Sequence, residues 1–243
     1  MRTLAFAKRN TKELLRDPLT LFFGLGFPLV LLLMMNLIQR SVPVHIFELD
    51  TLAPGIAFFG LTFMALFAGM LLAKDRSSAF LARLAASPMT AADFLLGYLL
   101  PMLPMAAGQT VICLAAAVAL GLPLSWNLLA AAASLLPSAL LFIALGLLCG
   151  TLFNDKQVGG MCGALLTNVT AFLAGIWFDL SLIGGAFQAA AYCLPFAHGA
   201  DGARAALAGD WAALPGHLLW VCAWAAVVSA AAVVLFRRRL VER

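Results

Sequence analysis

Long apolar runs alternate with short polar breaks along this chain, and the runs predict its architecture. Six of them, at residues 18–38, 52–73, 94–120, 127–153, 157–178 and 215–236, reach the roughly 20 residues that a helix needs to cross a bilayer. Prolines punctuate them. Pro18 suits the first turn of the first run, and Pro28 is expected to bend its middle. Pro101 and Pro104 predict a bend in the third run, and Pro137 falls inside the fourth. Thr90-x-x-Asp93 has the spacing of a capping box that opens the third run, and Gly121-Leu122-Pro123 closes it. Gly159, Gly160 and Gly163 in the fifth run are small enough to allow close helix contact, most commonly within one subunit.

The polar breaks carry their own signals. Residues 2–17 predict an amphipathic helix with Lys8, Lys12 and Arg16 at i, i+4 and i+8, and Leu4, Ala7, Thr11 and Leu14 on another face. Helices of this kind lie in the headgroup layer, against membrane lipids. The stretch KDRSSAFLARLAASPMTAAD, residues 74–93, is too polar to span. Its middle, 76–87, predicts a short helix that exposes Arg76 and Arg83 and buries Phe80, Leu81 and Leu84. Ser87-Pro88 ends it, because a residue before proline avoids the α region. Residues 179–214 are ambiguous: 17 of them are apolar in sequence, yet Gly184, Gly185 and Pro195 interrupt them, so a seventh span and a re-entrant hairpin both fit.

Charge decides between those two. The basic N-terminus and Arg237, Arg238 and Arg239 both belong in the cytoplasm, which requires an even number of spans. The expectation is an all-α integral membrane protein, one domain, with six spans and an outer re-entrant or surface-lying hairpin at 179–214. Thirteen of the 15 Lys and Arg then lie inside, with Arg40 and Arg204 outside. Composition agrees: 64% of residues are hydrophobic and 11% charged, where a soluble domain carries about a quarter charged. The net charge of +4 comes from helix ends and forms no continuous patch, which argues against a nucleic-acid partner. The first 17 residues lack an apolar core with a small-residue cleavage site, so no cleaved leader is expected.

Candidate chemistry is sparse. The interior of the predicted spans holds no Asp, Glu, Lys, Arg or His, the groups that ion-coupled transporters and intramembrane hydrolases depend on. No two of the five cysteines are closer than 13 residues, so no metal-type pair is present. His45, His198 and His217 fall near Glu48, Asp50, Asp201 and Asp210 on the expected outer side; histidines of polar loops are the commoner reading there than a metal site. No GxxxxGK[ST] motif is present to cradle nucleotide phosphates. No catalytic residue, metal or cofactor is therefore assigned to the chain, and a membrane-embedded enzyme is the weaker alternative.

The segment Arg76-Ser-Ser-Ala-Phe80-Leu81-Ala-Arg83-Leu84-Ala-Ala-Ser87-Pro88 resembles the cytoplasmic signature of type 2 ABC exporter permeases. That signature reads Arg-Glu-x-Gly-x-x-Glu-Arg-Leu, then Ser or Thr before Pro. Leu52-Ala53-Pro54-Gly55 resembles the opening of the family's second span. Leu194-Pro195-Phe196 and Arg204-Ala205-Ala206-Leu207 resemble the segment before its last span. The family's two acids and small glycine are replaced here by Ser77, Ala82 and Ala79. The resemblance implies a homodimer of six-span subunits paired with two ATPase subunits, which bind the ATP and Mg. It implies that the helix at 76–87 presses on the ATPase through Arg76, Phe80, Arg83 and Leu84, and that spans one, two and five line the path. Asn36, Thr167, Asn168 and Thr170 are the polar candidates on that path, with Gln109 in span three. The remaining lining is Phe, Leu, Met, Ala and Gly, and the chain has only Tyr98 and Tyr192 as tyrosines. That favours an amphipathic or lipid-like cargo (drug, lipid or hydrophobic peptide) over a polysaccharide.

Overall fold

Residues 2–42, 48–78 and 89–241 are described by the computed structural model, and among them every regular element is a helix. Helix α1 is Arg2–Arg16. Five helices that follow are long and apolar enough to cross a membrane: α2 (Pro18–Ser41), α3 (Leu49–Ser77), α4 (Ala91–Ala119), α5 (Asn127–Leu152) and α10, whose apolar length is Leu214–Arg239. Between α5 and α10 lie α6 (residues 155–173), α7 (Leu180–Ile183), α8 (Gly185–Cys193) and α9 (Pro195–Ala208).

Helix α3 is the hub. Its most apolar stretch is 89% buried, against 22% for the last helix. One contact explains how its neighbours come so close: a Cβ at Gly146 of α5 would fall on the backbone of Ala65, and one at Gly150 on that of Gly69. Small residues let helix backbones touch, and this replaces the hydrophobic drive that helices lack in lipid. The sequence expectation put such contacts at Gly159, Gly160 and Gly163 instead. A side chain at Gly159 or Gly160 would meet nothing within 4 Å, and one at Gly163 would make only ordinary contact with Leu66.

The helix ends follow the local chemistry. Thr90 Oγ1 accepts from Asp93 N–H at 3.2 Å, while the Asp93 carboxylate accepts from Thr90 N–H at 3.0 Å, so the predicted capping box is in place. Leu122 N–H bonds Ala117 O across Gly121, which stands at φ +121° and closes α4 as expected. Pro28 has no N–H to give to Gly24. The turn ahead of it widens to a π-helix over Phe22–Gly26, where Phe27 N–H reaches back to Phe22 O.

Two elements depart from the predicted boundaries. Helix α6 stops at residue 173, five short of the expected end, and carries a π stretch at Gly159–Leu166. Gly175 sits at φ +59°, Ile176 N–H bonds Ala171 O, and Gly175 N–H bonds Phe172 O. This is a Schellman stop, and only glycine takes its left-handed position cheaply. Lys156, Gln157 and Asn168 also lower the mean hydropathy of α6, so it is not among the five long apolar helices. Helix α3 runs to Ser77, four residues past its expected end, and this brings Lys74, Asp75 and Arg76 into its last turns.

The segment 179–214 is helical: α8 and α9 join at Leu194-Pro195 and pack on each other. Helix α9 buries Phe196, Ala200, Ala203 and Leu207 among α3, α5 and α10.

Candidate coupling site at the end of the bundle that carries the N-terminus

Helix α1 has a polar face and an apolar one, and the apolar face decides where it lies. Phe6, Ala7, Asn10 and Leu14 are buried against α4. The Phe6 ring meets Phe94 and Tyr98 edge-on, at centroid distances of 6.2 and 5.0 Å. Asn10 Nδ2 donates to Gly97 O at 3.0 Å, and a Cβ at Gly97 would strike the Phe6 ring. Leu4, placed on the apolar face by the sequence expectation, is 66% exposed; Phe6 and Asn10 take the role given to it.

This docking brings Arg9 to Asp75. The guanidinium donates to both carboxylate oxygens, at 2.6 and 3.0 Å, and Tyr98 Oη donates to Oδ2 at 2.9 Å. Asp75 is only 3% exposed, so this is a buried carboxylate with two kinds of donor. Burial by itself lowers the Arg9 pKa, but the hydrogen bond and charge of Asp75 outweigh that and hold it above its ordinary value. Glu13 extends the cluster: it accepts from Arg9 at 2.7 Å and from Lys74 at 3.1 Å. Asp75 stands two residues past the predicted end of the second run, on a helix that carries residues 74–76 in its last turns. Helix α3 runs through residue 75 because nothing in Lys74-Asp75-Arg76 breaks a helix.

Arg76, next in the chain, turns to α5. Its guanidinium donates to the carbonyls of Thr151 and Phe153, the latter at 2.8 Å, where α5 has run out of its own N–H donors. Arg76 thus holds the end of α5. Phe80, Arg83 and Leu84, with the short helix expected at 76–87, lie outside the described residues, apart from the Arg76 and Ser77 that α3 absorbs.

Three of the four path candidates, Thr167, Asn168 and Thr170, share one turn of α6, and Asn36 stands on α2. Asn36 is 8% exposed on α2. On α6, Thr167 bonds Cys162 O at 2.9 Å and Asn168 Nδ2 bonds Ala164 O at 2.8 Å. Asn168 is exposed on the surface of the single chain, whereas Thr170 is fully buried with its hydroxyl unpartnered among the described residues. Gln109 is also fully buried, its amide N–H giving to Ala57 O at 3.3 Å and its Oε1 without a partner among the described residues.

At the opposite end, Arg204 of α9 donates to Ala174 O and Gly175 O at the stop of α6, to Thr51 O at the start of α3, and to Asp201 at 2.9 Å. Tyr192 Oη donates to Asp201 at 2.6 Å, and burial pushes that phenol up to about 12. His198 and His217 meet Nδ1 to Nδ1 at 2.9 Å, and His198 Nε2 faces Tyr192 O at 3.1 Å. His45 lies outside the described residues.

The family model described as ABC-2 type transporter matches residues 1–208. The chain belongs to the ABC-2 transporter family. Comparison with curated proteins and with solved structures gave no match. The match to the ABC-2 transporter model covers α1 to α9 and with them the whole Arg9–Asp75–Tyr98 cluster; α10 follows it. ABC-2 permeases are membrane subunits of transporters that work with ABC ATPase subunits, and the five long apolar helices make this one a multi-pass membrane protein.

Proposed function

We propose that this ABC-2 permease exports an amphipathic or lipid-like molecule across the cytoplasmic membrane. It does so as a homodimer driven by two ATPase subunits that bind the ATP and Mg. The observation that carries the coupling part is the Arg9–Asp75–Tyr98 cluster. It ties α1 to the ends of α3 and α4 that flank residues 79–88, where an ATPase would dock against Phe80, Arg83 and Leu84. A push on that segment is then felt at once by α1, α3 and, through Arg76, α5. Both termini lie in the cytoplasm, α6 is the fifth of six spans, and α7–α9 form the outer re-entrant hairpin before the sixth, α10. The π stretches of α2 and α6 both pack against α3 and give these two helices a softer turn at which to bend.

The test is co-purification with an ATPase subunit, followed by stimulated ATP hydrolysis in vesicles. Arg83→Glu or Phe80→Asp should lower hydrolysis and transport several-fold, because charge reversal on a docking surface adds repulsion to lost contacts. Normal transport by these variants would remove residues 79–88 from the coupling path. For orientation, thiol reagents applied from outside should reach Ser41→Cys and Asp210→Cys and should not reach Ser78→Cys or Arg238→Cys. Labelling at position 78 from outside would invert the arrangement.

A further inference from the structure

A groove of ≈ 1060 Å³ opens between α1, the start of α2 and the Thr62–Ser77 half of α3, with Asp155 at the start of α6 on its edge. Its two walls have opposite chemistry. On one, Lys8, Lys12 and Arg16 stand on successive turns of α1, all exposed, and no carboxylate among the described residues pairs with them. The acids of the groove are engaged elsewhere. Glu13 holds Arg9 and Lys74, Asp17 accepts from Leu19 N–H and the Thr20 hydroxyl, and Asp155 accepts from Lys156 N–H. The other wall is apolar: Phe23, Leu66, Phe67 and Met70 line it, with Phe23 36% and Met70 41% exposed.

Free inorganic phosphate would satisfy only the first wall and a neutral oil only the second. The apolar wall belongs to helices long enough to cross the membrane, and the cations stand at the end of the groove where those helices begin or finish. That order, cation level then hydrocarbon, is the order of an anionic lipid in a bilayer leaflet. We propose that the groove seats one anionic phospholipid, its phosphate among Lys8, Lys12 and Arg16 and an acyl chain along Phe23, Phe67 and Met70. The occupant is a resident membrane lipid, so the inference needs the membrane but not the transport reading.

The experiment uses the permease with its ATPase, purified in mild detergent and titrated with phosphatidylglycerol or phosphatidylcholine of the same acyl chains. Bound lipid per chain is counted by native mass spectrometry. The unaltered protein should keep phosphatidylglycerol over phosphatidylcholine by at least ~10-fold, since each cation near an anionic headgroup adds attraction. The preference should shrink at ~0.5 M salt, where charges are screened within a few ångström. Lys8→Gln/Lys12→Gln/Arg16→Gln should bring the ratio close to ~1. Met70→Trp narrows the apolar wall and should lower retention of both lipids while leaving their ratio alone. Undiminished phosphatidylglycerol retention in the triple variant, or unchanged retention in Met70→Trp, overturns the seat. So does a triple variant that keeps the lipid but sheds the ATPase, which would assign the cations to a protein contact. ATP-driven movement of labelled phosphatidylglycerol across vesicles, lost in the triple variant, would make the groove a cargo site and overturn residency.

Discussion

Arg9→Ala probes the clasp between α1 and α3 most directly. The substitution strips two charge-assisted hydrogen bonds, at 2.6 and 3.0 Å, from a carboxylate that is 3% exposed, and leaves it only the Tyr98 hydroxyl. A buried charge deprived of its partner costs about 3–5 kcal/mol. The low end applies here, because Arg9 is 37% exposed in its side chain and water enters where it leaves. Asp75→Asn is milder: the amide oxygen still accepts from Tyr98 or Arg9, and a half-exposed guanidinium can hydrate, so the loss is about 1–2 kcal/mol. With asparagine at 75 there is no charge to strand. The double variant should then fall no lower than Arg9→Ala alone, a coupling of about 1–2 kcal/mol. For a chain of this length each kcal/mol moves the melting midpoint by roughly 2–4 °C. Arg9→Ala should therefore lose about 6–12 °C and Asp75→Asn about 2–8 °C when melts are followed in detergent. If the two losses simply add in the double variant, Arg9 and Asp75 do not hold each other and the clasp is refuted.

Three more outcomes are expected. Gly146→Leu drives a side chain into the Ala65 backbone and should lose about 1–3 kcal/mol or the folded protein itself, with Gly146→Ala intermediate, read as monodisperse yield after extraction. Asn168→Leu on α6 should change substrate preference and leave the melting midpoint within ~2 °C, because among the described residues this exposed amide bonds only Ala164 O of its own helix; a large drop in stability with the same substrates would assign it to packing. Burial, and after it the neighbouring His217, hold the His198 imidazole below its ordinary 6.5, so the unfolded chain takes up the proton first. This stabilising contribution is complete above pH 6.5 and is lost as pH falls from there towards the lowered value; melts across that window should show the loss, and His198→Gln should flatten it.

How far the sequence could be read varied with the reach of each interaction. Elements set within one turn are legible: the Thr90–Asp93 box, the Gly121 stop and five of the six apolar lengths stand where the residues put them. Gly175 carried an equally local stop signal that apolar counting overran, because Ile176-Trp177-Phe178 continue the run past the point where the backbone turns. The Arg9–Asp75 pair is 66 residues apart, and no spacing rule reports it. Charge places Asp75 in a polar stretch by pattern alone, yet a helix continues through Lys-Asp-Arg without strain. The π stretches leave the apolar pattern nearly unchanged and so were invisible. Among the candidates, Arg76 stands out through the family resemblance, but the carbonyls it holds belong to another helix.

The Gly146–Ala65 and Gly150–Gly69 contacts have a mechanical meaning. Where backbone lies on backbone there are no side chains between the helices to change rotamer and take up a displacement. Sliding α5 along α3 would force each carbonyl over the next peptide, and tilting would open a void along the seam. The pair therefore behaves as one stiff beam, pinned at one end by Arg76 on the last carbonyls of α5. A stroke delivered beside residue 78, where the proposed ATPase contact lies, would pass along the Thr62–Ser77 half of α3 and α5 together. Beyond the turn at Leu61, Arg204 links the far end of α3, at Thr51, to the stop of α6.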